Sequence, residues 1–374
     1  MIKFSYHIKK DSLLLNILGL ITSIFIFLIR FPFLFRKNYS SKVLVIALHK
    51  LGDTVFTVPA IKALRNKFGK DLTIVCYEDS RKIYEIAFND LNFLILKKED
   101  FYFSGRIAKA ALRKKVNALG VGTIIDLTGA INSASLIFNN KATKIVGFNE
   151  KYFKEIYSNY ISVRKIPHQM DIYLDAVKLA MNIKDEESLK YFGKSLNSNG
   201  EILIHPFAGW KTKEWSFKKF IDLYFYINKF HSCKFIIPIE RTSEEILFEL
   251  QTKKITFIVT KDITELIDEI KKASILIGCD SGAVNIASLL GKPTFIIYGP
   301  TNPMFHLPYG DHHEYIYKES AISPKINEKY GAEDAGRKNP ELDFMGSISV
   351  EEVYSRVTSF YKKIFEKDFE KIQV

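Results

Sequence analysis

Cysteine is scarce in this chain. Cys76, Cys233 and Cys279 lie far apart and are odd in number, and no two of them form a CxxC pair. A disulfide framework and the common zinc spacings are therefore excluded, and a reducing cytosol fits best. Also missing are the phosphate-binding G-x-x-x-x-G-K-[ST], the G-x-S-x-G nucleophile elbow and the H-E-x-x-H metal helix. His312-His313 beside Asp311 comes nearest to a metal cluster. Adjacent histidines in an irregular loop are expected to be exposed and unpaired, so no metal is expected. Acidic residues are in deficit: 42 Asp and Glu against 54 Lys and Arg leave a net charge of +12. That excess suits nucleic acid, an anionic membrane surface or a phosphate-rich substrate. No zinc-ligand cluster, RNP-type aromatic strand or basic helix points to nucleic acid, which is not expected as a partner.

What is present is a globular composition, 47% hydrophobic and 26% charged, over 374 residues. That length exceeds one ordinary core and suits two domains. Ahead of them, Leu13 to Ile29 is almost wholly apolar, with Lys9 and Lys10 before it and Arg30, Arg36 and Lys37 after. The following Phe31-Pro-Phe-Leu-Phe35 offers no small-x-small cleavage site, so this is not a signal peptide. A spanning helix needs about 20 apolar residues, which makes the stretch marginal. Ser12, Asn16, Gly19, Ser23 and Arg30 recur near helical spacing as a thin polar stripe. The pattern suits a helix lying in the membrane interface with basic residues meeting anionic headgroups, although a spanning anchor and a protein-packed helix stay open.

From Lys42 onward, short β-branched runs alternate with amphipathic helical stretches. Strands are predicted at Val43–Ala47, Leu72–Cys76, Phe93–Leu96, Thr123–Leu127 and Lys144–Val146, with helices over Ala60–Phe68 and Arg106–Leu119. A polar stretch from Lys184 to Gly200 reads as a linker. The alternation then restarts with strands at Ile202–His205, Lys234–Ile237, Thr256–Val259, Ile275–Ile277 and Thr294–Tyr298. The predicted helices between them are Ser216–Phe230, Ser243–Gln251, Ile263–Lys272 and Ala283–Leu290. Residues 311–340 read as a loop-rich segment, and Ser349–Phe369 as a closing amphipathic helix. Alternation of this kind implies right-handed crossovers and parallel sheets, which bind ligands outside the carboxyl ends of their strands. The expected organisation is an apolar membrane-associating helix over 1–40 and Rossmann-like domains over 41–190 and 200–345. A terminal helix over 346–374 is expected to pack back on the first domain.

Three loops at strand ends could carry chemistry. His49-Lys-Leu-Gly-Asp53 follows the first strand, where Gly52 permits a tight turn. Asp53 there reads either as a cap on a helix starting near Thr54 or as a general base. Gly209-Trp-Lys-Thr-Lys213-Glu-Trp215-Ser216 precedes a helix that Ser216 can cap, so the loop would turn N–H groups and Lys213 toward an anion. Lys213 could equally be a surface lysine, and Trp215 reads first as a packing residue. Asp280-Ser-Gly282 joins a buried strand to an Ala-rich helix. Gly282 would let backbone approach a ligand, Ser281 would supply a hydroxyl, and the helix N-terminus favours negative charge. The plain alternative is a tight βα turn capped by Asp280. Gly299-Pro-Thr-Asn-Pro303 adds a small-residue loop on the same edge.

In this order the segments resemble glycosyltransferase family 9, the ADP-heptose:lipopolysaccharide heptosyltransferases. The resemblance runs from about Lys42 to Phe360. It rests on Leu51-Gly-Asp-Thr-Val-Phe-Thr-Val-Pro59-Ala-Ile-Lys-Ala-Leu64, Lys213-Glu-Trp215, Asp280-Ser-Gly282, Gly291-Lys-Pro293, Gly299-Pro-Thr-Asn-Pro303 and Met345-Gly-Ser-Ile-Ser-Val-Glu-Glu-Val353. Asn285 departs from the family, which usually has His there. The cysteines common near the family's C-terminal end are missing, and the shortest members lack the apolar extension.

The resemblance implies a GT-B fold: two Rossmann-like domains with parallel sheets facing a central cleft, acceptor on the first and ADP-sugar on the second. It implies inverting transfer of a heptose or related sugar to a lipopolysaccharide core or similar glycolipid. Asp53 matches the catalytic base, facing Lys213 over the cleft. Lys213, Asp280, Ser281 and Gly282 match the donor-binding set, with backbone near Ala208 and Gly209 facing the phosphates. Ile263 matches an adenine-packing position, Glu240 (or Glu244) the ribose-binding glutamate, and Asn285 would also face the donor. No cofactor is implied, since the ADP-sugar is a co-substrate. The expected location is the cytoplasmic face of a bacterial inner membrane. A different nucleotide-sugar donor, a protein acceptor, or a non-catalytic nucleotide-sugar-binding protein are the rival readings.

Overall fold

The computed structural model describes residues 13–34, 40–148, 154–161, 168–181, 186–320, 322–323 and 339–366. The chain divides into two compact units, Met1–Leu189 and Lys190–Val374, so the division falls within the polar stretch 184–200.

The first unit opens with helix α1 (Leu13–Leu34). Its sheet strands are β1 (Val43–Ile46), β2 (Leu72–Tyr77), β3 (Asn92–Leu96), β6 (Thr123–Asp126), β7 (Lys144–Phe148) and β8 (Asn159–Ile161), and a small antiparallel hairpin is formed by β4 (Phe101–Tyr102) and β5 (Ile107–Ala108). The helices that follow α1 are α2 (Leu51–Phe68), α3 (Glu78–Ala87), α4 (Ala110–Ala118), α5 (Ile131–Ile137), α6 (Gln169–Ala180) and α7 (Glu186–Leu189). The six-stranded sheet is parallel, in the order β3-β2-β1-β6-β7-β8. Central β1 reads Val-Leu-Val-Ile and is buried throughout, as a strand covered on both faces must be.

The second unit repeats the plan. Its strands are β9 (Ile202–His205), β10 (Cys233–Pro238), β11 (Phe257–Thr260), β12 (Ile275–Cys279), β13 (Thr294–Ile297) and β14 (His313–Ile316). Its helices are α8 (Phe217–Ile227), α9 (Glu244–Thr252), α10 (Ile263–Lys272), α11 (Gly282–Leu289), α12 (Pro303–His306) and α13 (Val350–Phe365). The parallel order is β11-β10-β9-β12-β13-β14. Both sheets follow the Rossmann order, reversing direction between β1 and β6 and between β9 and β12. Loops that leave the carboxyl ends of those paired strands flank a natural ligand position.

Several expectations need correction. The terminal helix helps to build the second unit's own core. Ser349 caps α13 by accepting from the Glu352 N–H, and Val350, Val353, Val357 and Phe360 enter the second unit's core beside Trp215 and Phe220. Their spacing of three and four residues makes one apolar stripe, which α8 covers. The helix predicted from Arg106 begins at Ala110, because Ile107–Ala108 pairs into the hairpin. Within 311–340, His313–Ile316 adds β14 to the sheet edge, while 324–338 lie outside the described residues.

On α1, the two members of the polar stripe whose side chains are described, Ser23 and Arg30, do not face outward. Arg30 is buried and Ser23 half-buried, and the guanidinium donates to the carbonyls of Asn140 (2.5 Å) and Ala142 (3.2 Å). Ser12, Lys9, Lys10, Arg36 and Lys37 lie outside the described residues. Among those residues no helix is long and apolar enough to cross a membrane.

Candidate functional site

In the first unit, the loop after β1 meets the loop after β6. Leu127 N–H donates to the Ile46 carbonyl, and Leu48 N–H donates to Thr128 Oγ1 at 2.8 Å. The Asp126 carboxylate holds the second loop: it accepts from the N–H groups of Thr128 and Gly129 and from the hydroxyls of Ser133 and Tyr157, all within 3.0 Å. Burial pushes its carboxyl above the usual range, and those hydrogen bonds oppose the rise. Helix α2 begins at Leu51, with Lys50 in the capping position and no side-chain cap. Asp53 therefore lies inside the first turn rather than capping it, and its side chain is exposed. Gly52 is helical with an ordinary φ, so it makes no tight turn.

His49 is the residue that sequence reasoning passed over here. Its imidazole packs edge-on against Tyr173, 5.2 Å between centroids. One ring nitrogen donates to the Leu127 carbonyl, while Nε2 is buried with no hydrogen-bond partner among the described residues. Burial lowers its pKa, and the neighbouring Asp53 charge pulls it back up. A buried imidazole and an exposed Asp53 side chain thus share one helix start. The only signal in the sequence was a His four residues before an Asp, directly after a strand.

In the second unit, the loops after β9 and β12 come together at the switch point. Lys213 closes the short 3-10 turn Lys211–Lys213, its ammonium 4.4 Å over the Trp210 ring. The same ammonium pairs with Asp280 at the end of β12, and both side chains are largely buried, 12% and 6% exposed. Burial works to raise the Asp280 pKa, but the charges of Lys213 and His306 outweigh it and hold the carboxyl below its usual value. Asp280 is thus an ion-pair partner rather than a helix cap. Ser281 occupies the capping position of α11, yet its hydroxyl makes no cap bond.

Around this pair, the buried side-chain atoms Ser281 Oγ, Asn285 Oδ1, Thr212 Oγ1 and Tyr298 OH have no hydrogen-bond partner among the described groups. Leaving such a group unsatisfied costs about 1–3 kcal/mol, so four at the carboxyl ends of these strands and in the elements that follow them call for a polar ligand. The first-turn N–H groups of α11 point the same way, because the Ser281 side chain does not cap them. Gly282 opens α11 without a positive φ.

The remaining predicted donor residues scatter along the same strand ends. Gly209 is exposed, and nothing lies within 4 Å of where a Cβ would stand. Ala208 is not available to a phosphate: its N–H donates to Glu214 at 3.1 Å and its carbonyl accepts from Arg241, which also pairs with Glu214. This Glu214–Arg241 clamp was not foreseen. It also lines a cavity of about 360 Å³ with Phe207 and Phe217, a space that Lys213, Asp280 and Ser281 do not border. Glu240 and Glu244 are exposed just beyond β10. Ile263 is the first residue of α10, after the Asp262 cap, and only 9% exposed. Trp215 is a core residue, donating its indole N–H to the Ile348 carbonyl.

The histidine pair is buried, not exposed. His312 and His313 are 3% and 7% accessible, and His313 Nδ1 meets Thr294 Oγ1 at 2.8 Å. Desolvation depresses both pKa values. Among the described residues, no group of three or more His, Cys, Asp or Glu is placed to hold a metal ion.

Two Rossmann-type units, each with polar loops gathered at its switch point, define a two-domain α/β enzyme of the GT-B class. The family model for glycosyltransferase family 9 (heptosyltransferase) matches residues 109–333, more than half of the chain. The chain belongs to that family and is a glycosyltransferase. No curated protein sequence matches it. Solved structures do. A glycosyl transferase family 9 structure from Veillonella parvula is 18% identical with a TM-score of 0.65, covering 87% of this chain and 98% of its own. The heptosyltransferase WaaC of Escherichia coli, solved with ADP, is 14% identical with a TM-score of 0.63, covering 85% and 99%. The E. coli ADP-heptose lps heptosyltransferase II is 15% identical with a TM-score of 0.62, covering 86% and 99%. At these identities the likeness is one of fold.

Proposed function

We propose that the chain transfers a heptose or related sugar from an ADP-sugar to a lipopolysaccharide core or similar glycolipid, inverting the anomeric centre. The observation that carries the donor half is the buried Lys213–Asp280 pair set against the start of α11, amid hydroxyl and amide groups with no partner. An ammonium has three donors, so pairing with Asp280 leaves Lys213 able to meet a diphosphate as well. The N–H groups of α11 and the Ser281 hydroxyl add donors where negative charge grows on the departing nucleotide. Asn285 and Gly209 complete the phosphate surroundings, with Ile263 toward the base and Glu240 toward the ribose.

Asp53 is the base that takes the acceptor hydroxyl proton. The oxygen then attacks the anomeric carbon as the diphosphate leaves, in a single displacement with no covalent enzyme intermediate. No metal and no cofactor beyond the co-substrate enter this reaction.

The test pairs calorimetry with a donor panel. ADP is expected to bind the wild type and to lose at least tenfold in affinity in Lys213→Ala. Transfer from ADP-heptose to extracted core glycolipid should then exceed transfer from UDP- or GDP-sugars. Absence of ADP binding would overturn the donor assignment. Equal use of the other nucleotides would point instead to a donor preference altered at Asn285. Mass spectrometry of the core from cells lacking the protein would show one missing sugar.

A further inference from the structure

Helix α1 carries an interaction surface that the transfer chemistry does not use. Eight of the twenty large apolar side chains exposed among the described residues sit on it: Ile17, Leu20, Ile21, Ile24, Phe25, Phe27, Leu28 and Phe31, each 45–63% accessible. At 3.6 residues per turn they fall within one arc of about 160°. The opposite side is committed to protein. Ile26 is buried in the first unit's core, and Arg30 is tied to the Asn140 and Ala142 carbonyls. An apolar strip of this extent, about 21 Å long from Ile17 to Phe31 at 1.5 Å per residue, is not a normal free surface of a globular unit.

Charge selects the occupant. The first unit holds 29 Lys and Arg against 17 Asp and Glu, whereas the second holds 25 of each. The whole net charge of +12 therefore belongs to the unit that carries α1. A second copy docking on this face would bring two such units together against their own repulsion. An anionic surface is attracted instead. Spanning is disfavoured by the packed side, because a helix surrounded by lipid would have to give up the Arg30 and Ile26 contacts.

We propose that α1 is a membrane-docking face held rigidly to the first unit, its outer arc entering the interfacial layer of an anionic bilayer with the helix axis in the membrane plane. The arrangement inverts the usual amphipathic helix. Protein, rather than water, covers the polar side, and the attractive charge comes from the globular unit. Because the Arg30 bonds fix α1 to the end of α5 and the start of β7, docking also fixes the unit's orientation toward the lipid.

Flotation of the full chain with vesicles tests this. Wild type is expected to bind phosphatidylglycerol vesicles at least tenfold more tightly than phosphatidylcholine vesicles, and 1 M NaCl should weaken that binding severalfold. Ile24→Glu with Leu28→Glu should lose at least tenfold while melting at the wild-type temperature, since both side chains are exposed. A Phe25→Trp reporter should blue-shift on anionic vesicles, and Phe248→Trp on α9 should not. Undiminished vesicle binding by the double variant would overturn the proposal. So would a wild-type dimer that the same substitutions dissociate without any vesicle binding.

Discussion

The Lys213 ammonium meets the Asp280 carboxylate across the switch point of the second sheet, joining the loop after β9 to the loop after β12. Two charges this far from water are stable only together, since either one alone keeps its desolvation cost without its partner. Lys213→Ala should therefore destabilise the protein by about 3–5 kcal/mol as well as weaken ADP binding. Lys213→Met with Asp280→Asn should recover most of the stability but not the affinity. Urea denaturation beside calorimetry separates the two effects, and recovery of both would reduce the pair to a structural element.

Asp53 is exposed in the first turn of α2 and caps nothing. Asp53→Asn is expected to lower turnover by about 10²–10⁴-fold, the usual scale of general-base help, with ADP affinity and melting temperature unchanged. A near-wild-type rate would remove this carboxylate from the mechanism.

Strands β9 and β12 approach closely at Gly278, where an added Cβ would stand 2.7 Å from the His205 carbonyl oxygen. Gly278→Ala must push backbone from backbone. A loss of about 1–3 kcal/mol and a lower melting temperature are expected. Gly209→Ala meets no atom within 4 Å and should leave stability within about 0.5 kcal/mol. If ADP affinity nevertheless falls in that variant, backbone at Gly209 approaches the ligand.

His205 lies 5% exposed at the end of β9, and burial pushes its pKa down to about 4. The unfolded chain takes a proton near pH 6.5. The folded state then binds fewer protons through the window between, so stability is complete above about pH 6.5 and is lost as pH falls toward 4. The loss from this one group reaches about 3 kcal/mol. Melting curves of His205→Gln between pH 7 and 4.5 should show a slope smaller by one proton than the wild type, and an unchanged slope would refute the assignment.

Much of the architecture was legible in the residues. Runs such as Val43–Ile46 and Ile275–Cys279 are apolar without interruption because parallel strands are covered on both faces. The Asp262 and Ser349 caps mark their helices directly. Edge elements were harder. The strand Asn159–Ile161 has no buried residue, and His313–Ile316 carries two half-buried positions, so neither shows the continuous apolar run of a central strand. In helix α2 only Ala60–Phe68 shows a clear helical period, although the helix begins at Leu51. Its buried stretch, Thr54 to Leu64, is apolar on nearly every side, so it shows little helical period, and Pro59 reads as a break.

Sequence alone determined the two α/β units, the order of their strands and helices, and the loops at which charged and small residues collect. Those properties follow from local periodicity and from the chemistry of individual side chains. Only the tertiary structure decided which groups neutralise one another. It bound Lys213 to Asp280 from 67 positions away, tied Arg241 to Glu214, buried the His312–His313 pair, and turned Arg30 inward onto backbone carbonyls. Such pairings depend on which strands become neighbours, and no local pattern carries that information.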